Sequence, residues 1–165
     1  INGSMTVPYI EKQPISGGIE LNVSGNGFGD AVTGVIQGKY IKTLELSWVG
    51  LPHTNGKGTY LAIYVGNNPP SSLGETDYNK EGIAFFYDAK DKKVVQSPNM
   101  VSYTLPSDIN NHDKQDEAYF SKASCSCVIS LPSEDCKVYV LYKGSDNGGT
   151  GIALKEFNCE VGSFR

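Results

Sequence analysis

Along most of the chain, apolar and polar residues alternate one by one in short runs, and clusters of Gly, Pro, Asn and Asp separate the runs. Successive side chains of an extended strand point to opposite faces, so a period of two predicts strands buried on one side. Residues 41–49 carry the pattern most clearly: Leu44, Leu46 and Trp48 share one face, and Thr43, Glu45 and Ser47 the other. The same reasoning predicts strands at 19–23, 32–36, 59–65, 83–87, 93–97, 101–105, 126–131, 137–142 and 152–161. In 137–142 both faces are apolar, with Val138, Val140 and Tyr142 against Tyr139 and Leu141. That pattern predicts a central strand covered on both sides. Short strands with turn signals every 8 to 12 residues or so define an all-β antiparallel sandwich or barrel.

Turn chemistry predicts hairpins at 88–92, 132–135 and 145–149. Helix is predicted only at 112–122, with Asp113 as its cap. The glycine-rich 25–29 reads as a β-turn, because a phosphate-binding fingerprint needs a helix after it and none follows. Two long irregular stretches, 66–81 and 106–121, are where a rigid sandwich would house binding. Residues 5–165 read as one domain, and Ile1–Ser4, ahead of Met5, as a cloning remnant; no secretory leader is readable.

Composition narrows the function. A chain of 165 residues that is 39% apolar can bury a core. A net charge of −4 with 14 basic residues supplies no cationic field, so nucleic acid is not an expected partner. Lys90, Lys92 and Lys93 are interrupted by Asp88 and Asp91 and read as a solvated hairpin tip. No apolar run approaches the roughly 20 residues of a membrane-spanning helix, so membrane insertion is not expected either. Cys125, Cys127, Cys136 and Cys159 leave three states open: two disulfides in any of three pairings, free thiols in the core, or metal ligands, the last disfavoured by the C-x-C spacing.

His53 and His112 both fall in polar turns and read as solvated loop residues. No Ser or Cys sits in a nucleophile motif, so no catalytic residue and no enzyme are expected. What remains is aromatic and amide chemistry: ten tyrosines, one tryptophan, and loop asparagines at 67, 68, 79, 110, 111 and 147. Sugars are held by stacking on rings and by planar amides and carboxylates that bond hydroxyls. Strand tyrosines fit a pleated surface, which leaves the loop aromatics Tyr78, Tyr119 and Phe120 as ligand candidates.

Two stretches resemble family 6 carbohydrate-binding modules. Gly34-Val35-Ile36-Gln37-Gly38-Lys39-Tyr40-Ile41 with Lys57-Gly58-Thr59-Tyr60-Leu61-Ala62-Ile63 is similar to an early segment of that family. Ser130-Leu131-Pro132, Val138 to Ser145 and Ile152 to Phe157 are similar to its closing segment. The resemblance implies a jelly-roll sandwich that binds glycans in a loop-built cleft, often with a structural calcium. Tyr119 falls where the family places a stacking tryptophan. Val35 stands in place of a stacking tyrosine, Gly151 in place of a sugar-binding asparagine, and Ala153 in place of a calcium-binding aspartate, so no metal is expected.

The expectation is therefore an extracellular or surface-exposed glycan-binding or cell-attachment module, with a glycan or glycoprotein as partner and its oligomeric state left open. Tyr119 would stack on the sugar, with Phe120 and Tyr78 beside it and Asn147 and Asp146 bonding hydroxyls. The alternative is a protein-receptor-binding head of a viral or microbial surface spike. A glycosidase would instead need two carboxylates about 5 to 9.5 Å apart across a cleft.

Overall fold

The computed structural model describes residues 19–20, 26–30, 34–54, 58–70, 73, 77–143, 153–154 and 157–165. Among them the strands pair antiparallel throughout. Sheet one runs in the order β2 (Asn26–Asp30), β10 (Asp135–Lys143), β5 (Tyr60–Gly66), β6 (Ile83–Asp88), β7 (Lys93–Val95), and β3 (Ile36–Gln37) pairs with the start of β10. Sheet two runs β12 (Phe157–Phe164), β4 (Ile41–Val49), β9 (Ser124–Ser130), β8 (Met100–Thr104). A separate two-stranded ribbon joins β1 (Ile19–Glu20) to β11 (Ala153–Leu154).

The two sheets pack face to face as a β-sandwich, because each presents one apolar face. From β4 come Leu44, Leu46 and Trp48, buried as the alternation predicts, while Glu45 and Ser47 face out. They meet Phe85 and Tyr87 of β6 and Val138, Val140 and Tyr142 of β10 in one continuous core. Trp48 bridges the layers: its ring meets Phe85 edge-on at 5.1 Å and lies nearly parallel to Phe157 at 6.2 Å. Truncating such a fully buried ring to Ala costs about 3–5 kcal/mol.

Strand β10 is central, between β2 and β5, and covered on both sides. Its Tyr139 and Leu141 join Tyr60, Ala62, Tyr64, Ile83 and Phe86 in a second apolar cluster, capped by Leu73. Sheet one therefore needs cover on its outer face, and the chain between β5 and β6 supplies part of it.

Several expectations are corrected. The segment 132–135 is a crossover, not a hairpin: β9 belongs to sheet two and β10 to sheet one. Residues 145–149 lie outside the described residues, but the strands that flank them, β10 and β11, are in different sheets. Residues 26–30 form a strand because five residues of β10, Tyr139 to Lys143, complete their ladder, and that pairing overrides glycine's poor strand propensity. Of the expected strand 32–36, residues 34–36 are described, and among them Ile36 is paired, with Cys136. The helix at 112–122 shrinks to one turn, α1 (Glu117–Phe120). Its cap is Asp116, whose carboxylate accepts from the Tyr119 N–H, whereas Asp113 accepts from Gln115 in a turn of its own.

Candidate functional site

Strand β4 has a differently built structure at each of its ends. Beyond Val49, the stretch 106–123 closes the sandwich as a plug: the Leu51 N–H donates to the Phe120 carbonyl, Gly50 to Ala123, and Thr54 to Lys114. Inside the plug, His112 lies flat on Tyr119, with ring centroids 3.4 Å apart and planes 14° from parallel. Its Nδ1 is 3.1 Å from Asp116 and its Nε2 3.2 Å from Asp108. The Tyr119 hydroxyl donates to the other Asp108 oxygen at 2.6 Å. The Lys92 ammonium bonds the His112 carbonyl at 2.5 Å, whereas Lys90 and Lys93 are exposed as expected of the hairpin tip.

These contacts move the titrations in opposite directions. Donation from Tyr119 and His112 holds the Asp108 carboxyl below the usual carboxylate value, and the Tyr119 N–H with His112 does the same for Asp116. Burial, then the bond to Asp108, pushes the Tyr119 phenol upward. His112 is thus no solvated loop residue, since its ring lies on Tyr119 and both ring nitrogens face carboxylates. His53 is half-buried, and its Nδ1 has no hydrogen-bond partner among the described residues.

Beyond the Ile41 end of β4 lies an open cleft of about 750 Å³. Four chain segments line it: 64–70 at the end of β5, 80–82 before β6, Asn99 before β8, and 131–134 in the crossover. The polar lining is amide and carboxylate: Asn67, Asn68, Asn99, Glu81 and Glu134, with Lys80 at the rim. Tyr64 forms a wall and is only 9% exposed. Burial pushes its phenol up, partly offset by the Asn68 N–H, and Glu81 adds to the rise. The hydroxyl therefore stays neutral.

The walls are fixed from behind. Asn67 donates to the Asp135 carbonyl at 2.8 Å, and Asn99 to that of Ile83 at 3.3 Å. Ser97 bonds the same Ile83 carbonyl. Gly82 has φ +88°, and a Cβ there would strike the Tyr64 ring. Gly38 sits against the carbonyls of Pro132 and Glu134 with no room for a Cβ. The Arg165 guanidinium ties the same corner, donating to Gly38 at 2.6 Å and to Leu131 at 2.5 Å.

Of the expected site residues that are described, Tyr119 and Phe120 touch and Tyr78 lies apart from them. Tyr119 belongs to the plug, with one ring face on His112 and its plane nearly perpendicular to that of Phe120, 5.2 Å away. Phe120 is 1% exposed and packs in the core, so it offers a ligand no surface; the turn of α1 points it inward. Tyr78 packs on Phe86, on the outer side of sheet one, with the sheet between it and Tyr119. Asp146 and Asn147 lie outside the described residues. Ala153 lies in β11 and its methyl carries no donor, so the calcium site of the resemblance does not fit there. Of the loop asparagines, 67 and 68 do line the cleft, whereas Asn99, Glu81 and Glu134 carry no local motif and meet only through the fold.

All four cysteines are free and buried. Burial pushes the thiols of Cys125 and Cys159 up to about 12 and that of Cys136 up to about 11, and Cys127 higher still. Thiols held protonated in this way are poor nucleophiles and poor metal ligands. No helix of the described residues is long and apolar enough to cross a membrane. No family model matches the chain, and no curated protein or solved structure does so.

Proposed function

We propose that this β-sandwich is a non-catalytic carbohydrate-binding module of the jelly-roll kind, acting outside the cell or at its surface as part of an adhesive protein. The glycan sits in the cleft at the Ile41 end of β4, not on Tyr119. One observation carries this reading: three amide side chains and two carboxylates from four separate segments line one open cleft. Planar amides and carboxylates bond vicinal sugar hydroxyls two at a time, and the cleft's volume is in the range of small-ligand sites. Its single lysine and two carboxylates do not suit a phosphate.

The rest of the molecule supports binding without chemistry. Glu81 and Glu134 are both exposed, whereas the proton donor of a glycosidase is held in an apolar pocket. His112 is engaged by two carboxylates, and the thiols are buried.

A glycan array on the isolated domain tests the proposal. Binding is expected, with at least a tenfold loss in Asn68→Ala and in Glu134→Ala, two exposed positions whose truncation leaves thermal stability unchanged. Tyr119→Phe is expected to bind normally. A clean array with retained cell attachment would transfer the case to a protein receptor. Loss of binding in Tyr119→Phe alone would move the site to the plug.

A further inference from the structure

The side chains that line the cleft at the Ile41 end of β4 offer more acceptors than donors. Asn67 and Asn99 give their amide N–H groups to the backbone carbonyls of Asp135 and Ile83. The Oδ1 atoms of both meet no donor among the described residues. Glu81 and Glu134 come from two different walls and are exposed, and neither carboxylate has a hydrogen-bond or salt-bridge partner among the described residues. An ionised carboxylate only accepts. Donors are fewer: the Asn68 amide, the Lys80 ammonium at the rim and the Tyr64 hydroxyl. The Tyr64 ring is only 9% exposed and sits where a Cβ on Gly66 or Gly82 would strike it. Its oxygen takes the Asn68 N–H, and the neighbouring Glu81 charge helps to keep its proton in place. Two carboxylates against one lysine leave the lining net negative.

A ligand that suits such a lining brings donors and positive charge. A hydroxyl carries one donor and two acceptor lone pairs, whereas a protonated amine carries three donors and no acceptor. Its bonds to carboxylates are charge-assisted and stronger than those of a neutral hydroxyl. An N-acetyl group is a poorer fit, because it is uncharged and adds a carbonyl acceptor, and a uronic acid brings like charge. A bound metal is the other common partner of carboxylates, but among the described residues no group of three or more His, Cys, Asp or Glu could hold one. Resting on the glycan reading of this cleft, we propose that it selects a sugar with a free, protonated amine, an unacetylated amino sugar, and that Glu81 and Glu134 determine this specificity.

The test is an array of glucose, galactose and mannose oligomers, each in hydroxyl, N-acetyl and free-amine form. It is read at about pH 6, where amines are charged and carboxylates ionised. In at least one series the free-amine form is expected to bind at least about tenfold more tightly than both counterparts. Added salt should shrink that preference. Glu81→Gln/Glu134→Gln keeps the shape of both side chains and removes their charge. In it the ratio of amine to hydroxyl binding should fall to about one, whatever the absolute affinities. Glycan binding without preference for the amine overturns the selectivity and leaves the glycan reading standing, whereas an array bare in all three forms overturns both. A preference that survives in the double variant also overturns the proposal. So does a lysine-rich peptide that competes as well as the amino sugar, since the cleft would then read an amine on a protein. If the double variant does not fold, the wild-type comparison decides, together with Glu134→Gln alone, which should still lower the ratio.

Discussion

Tyr119 shows how the role of a side chain depends on its neighbours. In sequence it is an aromatic in a long polar stretch, beside asparagines that suit sugar hydroxyls. In the fold one ring face rests on His112, its hydroxyl bonds Asp108, and it makes a T-shaped contact with the buried Phe120. Such ring contacts are worth about 0.5–1.5 kcal/mol each beyond the area they bury, so Tyr119→Ala is expected to cost roughly 1–2 kcal/mol. Tyr119→Phe, which keeps the stack, should lose clearly less. Urea unfolding of both variants checks this. A negligible loss in the alanine variant would mean that the ring is a solvent-facing platform after all. Sequence could not foresee the outcome, because the stacking partner and the acceptor approach through two turns whose course depends on Lys92 and Thr54.

Among the elements, the strands were the most legible and their connections the least. Alternation located β4 and marked β10 as covered on both faces, since burial acts on every second residue. Turn residues at 132–135 were also legible, but a turn does not state whether the chain returns to its own sheet or crosses to the other. The crossover there is held by a close backbone approach that only glycine permits. Gly38→Ala would drive a methyl into the Pro132 and Glu134 carbonyls, and overpacking of this kind costs about 1–3 kcal/mol. Because 131–134 forms one wall of the cleft, the same substitution is expected to weaken the proposed glycan binding more than its loss of stability alone predicts. Thermal melts and isothermal titration at a temperature where the variant is folded separate the two effects. The wall made by Glu134 and the wall made by Glu81 had no sequence signal, because they come from segments more than fifty residues apart.

For the molecule as a whole, the titrating groups set a stability plateau. Asp108 and Asp116 have folded values below the ordinary 3.8, so their contribution is full above about 4 and is lost as pH falls through the depressed values. The buried phenols of Tyr87 and Tyr142 and the buried thiols are raised, which reverses the sign. Their contribution is full below the ordinary 9.0 of a thiol and 10.0 of a phenol, and is lost as pH climbs beyond. Melting temperature is therefore expected to be flat between these limits and to fall on both sides. In Asp108→Asn/Asp116→Asn the acid-side fall should be shallower, while on the alkaline side only the share of Tyr119, whose phenol Asp108 helps to hold up, should change. An unaltered acid limb would remove the two aspartates from the account.

By itself the sequence determined that this chain is a β-sandwich with a doubly covered central strand, because face-by-face burial leaves a period of two in any chain that obeys it. It also determined the net charge of −4, since charge is additive and can be counted without coordinates. The tertiary structure alone decided which long stretch became a plug and which lined a cleft. That choice rests on contacts between residues far apart in the chain, and a local pattern carries no record of them.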